Sequence, residues 1–296
     1  MSIGGRIYRK SLNSILPLLR TSWIDKFSDE LLRIRVSTQE ILRQREARRQ
    51  FAVLPEISAT KGEPLVRSIM ESNAPWDGIE VPRCDIPGML TESEKKYYCY
   101  IAAFYSGWGE IVELGPWLGL STFYVASSLL ANSHFNNRKL YVFDDFTWRT
   151  SWMDKWLVGT NIIPPGNHAS FQQIFESQLG DLMKDIIVQR RKICDYDGNE
   201  NLPTLEWHGG PIEVLVVDCG RSLAVNEAWW TIFSSSFVPD KTLIIMQDWQ
   251  NHKRVPEVFW ENTKIFTDSK GQQLDLIHEV KNAGIATFLY RGESNA

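Results

Sequence analysis

The sequence predicts an α/β protein: a doubly wound, mostly parallel sheet of seven strands with a terminal antiparallel hairpin, plus a helical N-terminal extension. Three observations predict this class. Apolar, β-branched runs of strand length alternate with segments of helical apolar spacing, a glycine-bearing turn follows the first run, and acidic residues close several later runs. Doubly wound sheets bind ligands at the carboxyl ends of their strands. We therefore expect the functional residues at those acid-ended strand ends.

The first strand and its turn occupy residues 110–121, with the sequence EIVELGPWLGLS. Gly115 and Gly119 lack side chains, so we expect them to leave room for a ligand that approaches the backbone closely. A helix is predicted from about Ser121, which suits the N-cap position. Free amide groups and the helix dipole there favour a carboxylate or a phosphate. Taken alone, such a turn also fits an ordinary strand-to-helix connection.

The second strand, residues 139–146, ends in Asp144 and Asp145. In an open parallel sheet, a carboxylate at this strand end is placed to accept hydrogen bonds from ribose hydroxyls. We assign that position to Asp144. The alternative is that the two aspartates only cap the strand or start a turn. The order of strand, glycine turn, helix and acid-ended strand favours the ligand site.

The remaining elements follow in the order that such a sheet needs. A capping box, Thr91-Glu-Ser-Glu94, predicts a helix from Thr91 to about Trp108. Downstream we predict a helix over 171–185, a third strand from 186 that reaches 193–195, a fourth strand over 212–218, a helix over 222–235, a fifth strand over 241–248, and a hairpin from 274–281 and 285–291. Together these segments supply seven strands.

Residues 1–90 form a predicted helical extension and connector, and residues 91–296 form the predicted α/β domain. Residues 1–50 carry 11 Lys and Arg against 5 Asp and Glu, whereas the whole chain has a net charge of −4. Residues 23–51 read as an amphipathic helix. We expect this arm to pack on the domain or on a second copy of the chain. Attachment to an anionic membrane surface is the alternative, and the absence of a groove-reading motif argues against nucleic acid.

The signature formed by Glu113, Gly115, Gly119 and Ser121 resembles the first motif of the class I S-adenosylmethionine-dependent methyltransferases, whose domain is Rossmann-like. The second glycine follows four residues after the first, whereas NAD enzymes space them by two. The resemblance covers roughly residues 95–292 and is strongest to sugar O-methyltransferases of the macrocin type, some of which need magnesium. The cofactor-binding residues that it implies are Glu113, Gly115, Pro116, Gly119, Ser121, Asp144, Asp195 and Asp218.

Within that implied site, Asp195 and Tyr196 would lie near the adenine. The segment 195–201 also has the composition of a polar surface loop, so both interpretations of Asp195 stay open.

The catalytic candidates are Asp218, Asp248 and His252. The two aspartates end adjacent strands and can share a magnesium ion through oxygen ligands. Gln247 stands where those relatives carry a second acid, and Gly220 stands where a base is expected, so metal dependence is open. Histidine has a suitable pKa for base work near neutrality, and we prefer His252, which follows a site strand, to His208. Arg221 either holds an anionic substrate group or pairs with Asp218.

We therefore expect an S-adenosyl-L-methionine-dependent O-methyltransferase of a sugar or another small hydroxylated metabolite, with magnesium as the possible second cofactor. The alternative is a catalytically silent, methyltransferase-like subunit that binds cofactor or a partner. A small-molecule acceptor and a homo-oligomer formed through the N-terminal helices are the expected partners. The chain has no bilayer-length apolar run and four scattered cysteines, which predict no stable membrane insertion and a cytoplasmic location.

Overall fold

The computed structural model describes residues 64–71, 75–254 and 258–292. The predicted amphipathic helix over 23–51 lies outside the described residues. Within the described part of the chain, no helix combines the length and the apolar character that crossing a bilayer requires.

The described residues form one sheet of seven strands in the order β3-β2-β1-β4-β5-β7-β6. Strands β1 to β5 pair in parallel, and β7 runs antiparallel to both β5 and β6. This arrangement confirms the predicted doubly wound sheet with a terminal hairpin. The strands are β1 (Glu110–Leu114), β2 (Leu140–Asp144), β3 (Ile186–Arg190), β4 (Ile212–Val217), β5 (Leu243–Met246), β6 (Leu274–Glu279) and β7 (Ala286–Tyr290).

Helices cover both faces of this sheet. Thr91 caps the second of them with the predicted capping box, which confirms where that helix begins. It ends at Ala103, earlier than predicted, ahead of a segment in which Gly107 has φ +80°. The α-helices are α1 (Pro64–Glu71), α2 (Glu92–Ala103), α3 (Leu120–Ala131), α4 (Thr150–Met153), α5 (Gln172–Leu179), α6 (Leu223–Phe233) and α7 (Val258–Ser269).

Strand β4 shows how the core is divided between the two faces. All six of its residues are buried, as expected for a central strand of a parallel sheet. Val214 and Val216 belong to the apolar cluster on one face, and Leu215 and Val217 to the cluster on the other. The segment before α2 joins the first cluster, since Leu65, Ile69, Trp76 and Ile86 are buried there.

Further local predictions differ from the structure. The third strand ends at Arg190, so residues 193–195 do not continue it; instead the Lys192 amide donates to the carbonyl of Pro203. Helix α3 begins at Leu120, and its N-cap is Gly119 in the left-handed conformation, φ +95°. Ser121 is therefore inside the helix, and its prediction as N-cap is wrong.

Candidate active site

A cavity of about 230 Å³ opens at the carboxyl edge of the sheet. Its walls come from the turn after β1, the ends of β4 and β5, the N-terminus of α2 and the turn between β6 and β7. The site residues that line it include Pro116, Ser121, Asp218, Arg221, Gln247 and Asp248. The structure thus brings four predicted site residues, Pro116, Ser121, Asp218 and Asp248, into one volume.

Glu113 lies directly behind this cavity at the end of β1 and is fully buried. Its carboxylate accepts hydrogen bonds from the hydroxyls of Ser121 and Thr122, at 2.5 and 2.7 Å. Burial raises the pKa of Glu113 to about 7, and the two hydroxyl hydrogen bonds oppose that shift. Glu113 therefore fixes the first turn of α3 to the sheet and has its ionisation near neutrality.

The two glycines of the turn are needed for packing within the protein. Gly115 has φ +79°, and a Cβ there would lie 2.9 Å from the carbonyl oxygen of Asp218. A Cβ on Gly119 would lie 3.1 Å from the Phe175 ring. The expectation that these positions leave room for a ligand is therefore wrong in its reason, because the space belongs to the segment directly after β4 and to α5. What the glycines supply is a backbone bend that other residues rarely adopt.

At the end of β2, the two aspartates have different environments. Asp144 accepts a hydrogen bond from the amide of Phe146 at 2.6 Å, and burial together with the neighbouring Asp145 raises its pKa well above the usual range. Burial also acts on Asp145, but the Arg149 guanidinium, 2.7 Å away, lowers its pKa. Asn199 donates a further hydrogen bond to Asp145. Asp144 lies outside the lining of the cavity, on the β2 side of the turn.

Asp195 lies in the loop after β3 rather than at a strand end. Its side chain is 74% exposed and pairs with Lys192 at 2.6 Å. The structure favours the surface-loop interpretation of this residue, because a strand that ends at Arg190 leaves Asp195 beyond the edge of the sheet.

Asp218 and Asp248 converge on the cavity as predicted, and Arg221 lies between them. One guanidinium nitrogen, Nη2, is 3.2 Å from Asp218 Oδ1 and 2.5 Å from Asp248 Oδ2. Burial raises the pKa of Asp218 to about 8; Arg221 opposes this shift, and the Asp248 carboxylate adds to it. The pairing of Arg221 with aspartate was one of the two roles expected for it.

The predicted magnesium site does not fit this arrangement. A shared divalent ion would need the space and the carboxylate oxygens that the Arg221 nitrogen takes. Gln247, which stands where the sugar O-methyltransferases carry a second acid, already uses its Oε1 to accept a hydrogen bond from the Tyr98 hydroxyl at 2.8 Å. Among the described residues, no group of three or more His, Cys, Asp or Glu side chains is arranged to hold a metal ion.

Glu94 is a site residue that sequence reasoning missed. It lines the cavity, and its Oε1 accepts from the Gln247 side chain at 2.9 Å and from the Gly284 amide at 2.8 Å. Its other oxygen accepts from the Thr91 amide at 2.7 Å. This buried network ties α2 to β5 and to the hairpin turn. The capping box identified Glu94 as a helix signal, but its distant partners could not be read from that motif.

The two histidines considered as bases are engaged elsewhere. His252 Nδ1 is 2.6 Å from the carbonyl oxygen of Trp249, its ring packs edge-on against the Trp249 ring, and it is not among the residues lining the cavity. His208 is 81% exposed and pairs with Glu206. The geometry therefore favours the aspartates over either histidine as proton acceptors.

Two features of the turn suit a nucleoside-bearing cofactor with a carboxylate group, such as S-adenosylmethionine. Gly119 provides no side-chain cap for α3, so amide groups at this helix N-terminus are available to a ligand carboxylate beside Leu120 and Ser121. Trp117 lines the cavity with φ +46°, a rare conformation for a bulky residue. Its buried Nε1 has no hydrogen-bond partner within the described part of the chain. A bound acceptor group would satisfy that donor.

The strand order, the antiparallel β7 and the glycine turn after β1 together make the fold of class I S-adenosylmethionine-dependent methyltransferases, as the sequence resemblance implied. No protein-family model matches the chain, and no curated protein matches it.

Several solved structures are similar to the chain. One is the O-methyltransferase TomG from Streptomyces achromogenes, involved in tomaymycin synthesis and solved with SAM: 12% identity, a TM-score of 0.45, and coverage of 82% of this chain and 94% of that chain. Another is the O-methyltransferase NovP: 13% identity, a TM-score of 0.46, and coverage of 77% and 98%. A third is the calicheamicin methyltransferase CalS11: 12% identity, a TM-score of 0.43, and coverage of 82% and 97%. All three likenesses are distant, so the function has to be inferred from the side chains of the site.

Proposed function

We propose that the chain is an S-adenosylmethionine-dependent methyltransferase that methylates a hydroxyl of a sugar or another small hydroxylated metabolite. One observation carries the proposal: the uncapped N-terminus of α3 and the carboxylates of Asp218 and Asp248 face the same cavity. Amide donors for the carboxylate of the cofactor and proton-accepting groups for a substrate are therefore adjacent. The catalytic domain is residues 91–296, with the described residues before it packed into the same core.

The cofactor would be held by the turn after β1 and by the end of β2. The amides at the start of α3 suit its carboxylate, and the backbone bend at Gly115, Pro116 and Gly119 shapes the passage. Glu113 acts from behind, by holding Ser121 in place. Asp144 is the proposed ribose contact. We do not assign the adenine to Asp195, because that side chain pairs with Lys192 in an exposed loop.

When bound, S-adenosylmethionine supplies an electrophilic methyl group. The task of the protein is to hold an acceptor hydroxyl in line with it and to remove the hydroxyl proton. We assign proton removal to an oxygen of Asp218, whose pKa of about 8 is close to the pH at which a base must work. Asp248 supports this role through Arg221, which contacts both carboxylates.

Calorimetric titration with S-adenosylhomocysteine and, separately, with NAD tests the cofactor assignment. We expect S-adenosylhomocysteine to bind and NAD to give no heat. Absence of any response to S-adenosylhomocysteine would contradict the proposal. Turnover is then measured as S-adenosylhomocysteine released in the presence of hydroxylated acceptors, with sugars and phenols as separate sets. Cofactor binding without turnover on either set would favour the silent, methyltransferase-like subunit instead.

The proposal also includes a cytoplasmic location, a small-molecule acceptor, and self-association through the N-terminal helices. The proposed self-association depends on residues 1–63, which lie outside the described residues. Sedimentation of the full chain measures it directly, and a strictly monomeric chain would remove that part of the proposal alone.

A further inference from the structure

The guanidinium of Arg221 lies between the two carboxylates that follow β4 and β5. A single nitrogen of Arg221, Nη2, contacts Asp218 and Asp248 at 3.2 and 2.5 Å. All three side chains are about one quarter to one third exposed, at 24% for Asp218, 25% for Asp248 and 35% for Arg221. The contact is therefore only partly screened by water and lies in the wall of the cavity.

The loop that carries Arg221 is fixed on both sides. Asn226 donates from its side chain to the carbonyl oxygen of Gly220 at 3.0 Å, and a Cβ on Gly220 would clash with the Asn226 side-chain oxygen. Asn262 of α7 donates to the carbonyl oxygen of Arg221 at 3.1 Å. Ser222 caps α6 directly afterwards. These hydrogen bonds hold the backbone at Arg221 in place, which keeps its guanidinium within reach of the two carboxylates.

A guanidinium keeps its charge at every accessible pH and presents fixed donors, so it can neutralise paired carboxylates as an ion does. A magnesium ion would need oxygen ligands at about 2.0–2.1 Å in octahedral geometry. It would also meet the positive charge of Arg221 at contact distance. Arginine and divalent ion therefore exclude one another at this position.

We propose that Arg221 is the resident cation of this site: it occupies the position between Asp218 and Asp248 that a divalent ion would need, orients the Asp218 carboxylate toward the cavity, and makes the reaction independent of divalent metal. Arg221 is a positioning residue, since it acts through the two aspartates. The inference rests on the proposed function only where it concerns methyl transfer.

Titration with Mn²⁺ tests whether Arg221 excludes a divalent ion, and it needs no turnover. Bound Mn²⁺ is measured by the loss of the free-ion signal in electron paramagnetic resonance. We expect the wild-type chain to leave Mn²⁺ free. Arg221→Ala should bind one Mn²⁺ per chain, at least about tenfold more tightly than wild type, since the opposing charge is gone and two carboxylates remain. Arg221→Lys keeps the charge and should leave Mn²⁺ free.

Two further variants make the result specific. Arg221→Ala combined with Asp248→Asn should lose the new site, because one of its two carboxylates is then neutral. Arg254→Ala removes a positive charge from the same cavity and should create no Mn²⁺ site. Thermal unfolding of each variant identifies any that fail to fold, and the wild-type titration stands without them. Wild-type binding of Mn²⁺ that Asp248→Asn abolishes would overturn the proposal, as would a folded Arg221→Ala chain without a site.

The pH dependence of turnover adds a second test, because it would not shift if Arg221 only stabilised the fold. Wild-type activity should be unchanged by EDTA. Because Arg221 opposes the rise in the pKa of Asp218, Arg221→Ala should move the pH dependence of kcat/KM to higher pH, and Arg221→Lys should largely restore it. Full loss of wild-type activity in EDTA with recovery on Mg²⁺ would contradict the proposal. Failure to bind S-adenosylhomocysteine would instead contradict the proposed function and leave the Mn²⁺ result standing.

Discussion

The hydroxyl of Ser121 donates a hydrogen bond to Oε1 of Glu113 at 2.5 Å, which joins the first turn of α3 to the end of β1. Thr122 donates to the other carboxylate oxygen, so both hydroxyls depend on one buried acid. Glu113 therefore holds the bend at Gly115 and Gly119 from the core side, and the other side of the bend faces the cavity.

This relationship predicts how stability depends on pH. The folded pKa of Glu113 is about 7, above its unfolded value of about 4.5, so the folded state holds the proton more strongly. Its contribution to the free energy of unfolding is fully present below about pH 4.5 and is lost as the pH rises through about 7. Urea unfolding of wild type and Glu113→Gln across this window checks it: the decline should be shallower in the variant.

Two controls accompany that measurement. Asp218 contributes with the same sign, since burial raises its pKa from 3.8 to about 8, and burial also raises the pKa of Asp144, so a slope remains in Glu113→Gln. Glu92→Gln removes an exposed carboxylate in the first turn of α2 and shows how much of any change in slope comes from losing a surface charge. If the free energy of unfolding falls equally steeply with pH in Glu113→Gln and in wild type, Glu113 has the same pKa in the folded and the unfolded state, and the prediction is wrong.

Asp144 and Asp195 provide a matched pair for the cofactor contact. We expect Asp144→Ala to weaken S-adenosylhomocysteine binding by about tenfold or more, since the ribose hydroxyls would lose their hydrogen-bond partner. Asp195→Ala should leave the affinity unchanged, because that side chain is exposed and paired with Lys192. Calorimetric titration of both variants gives the comparison. Unchanged affinity in Asp144→Ala would move the ribose contact to another residue.

The Glu94 network predicts a large effect on stability, because it ties α2 to the end of β5. Glu94→Ala would leave the amide of Gly284 and the side chain of Gln247 without their buried acceptor. Each such buried group costs about 1–3 kcal/mol, so we expect at least that loss in the free energy of unfolding. Glu92→Ala, two residues away on an exposed face, loses an ion pair with Lys95 and a charge near the helix N-terminus, and should cost no more than about 1 kcal/mol. Urea unfolding compares the two, and equal losses would rule out the network as the cause.

Much of the fold could be predicted because its signals are local. The buried run of β4 and the capping box at Thr91 lie within a few residues, and strand polarity then brings Asp218 and Asp248 to one edge. The roles of Glu94 and Arg221 depend on longer-range contacts. Glu94 meets Gln247 across 153 positions of sequence, and Arg221 meets Asp248 across 27. Local periodicity does not encode such pairs.

Ser121 shows a second kind of limit. As a serine after a turn it has the composition of an N-cap, yet the left-handed conformation of Gly119 starts the helix one residue before it. Its hydroxyl is then available to Glu113, which lies buried on β1 without a basic partner at hydrogen-bond distance among the contacts described. The prediction that the third strand reaches Asp195 is also wrong, because β3 ends at Arg190.

The pKa of Asp218 predicts the pH dependence of turnover. A general base must be deprotonated to accept the hydroxyl proton, so kcat/KM should rise with pH and level off above about pH 8. Asp218→Asn should lower kcat by roughly 10²–10⁴-fold, with S-adenosylhomocysteine affinity measured alongside to separate chemistry from binding. Asp248→Asn removes a negative charge that raises the pKa of Asp218, so its profile should move to lower pH. A profile that stays flat between about pH 6 and 9 in all three proteins would exclude Asp218 as the base.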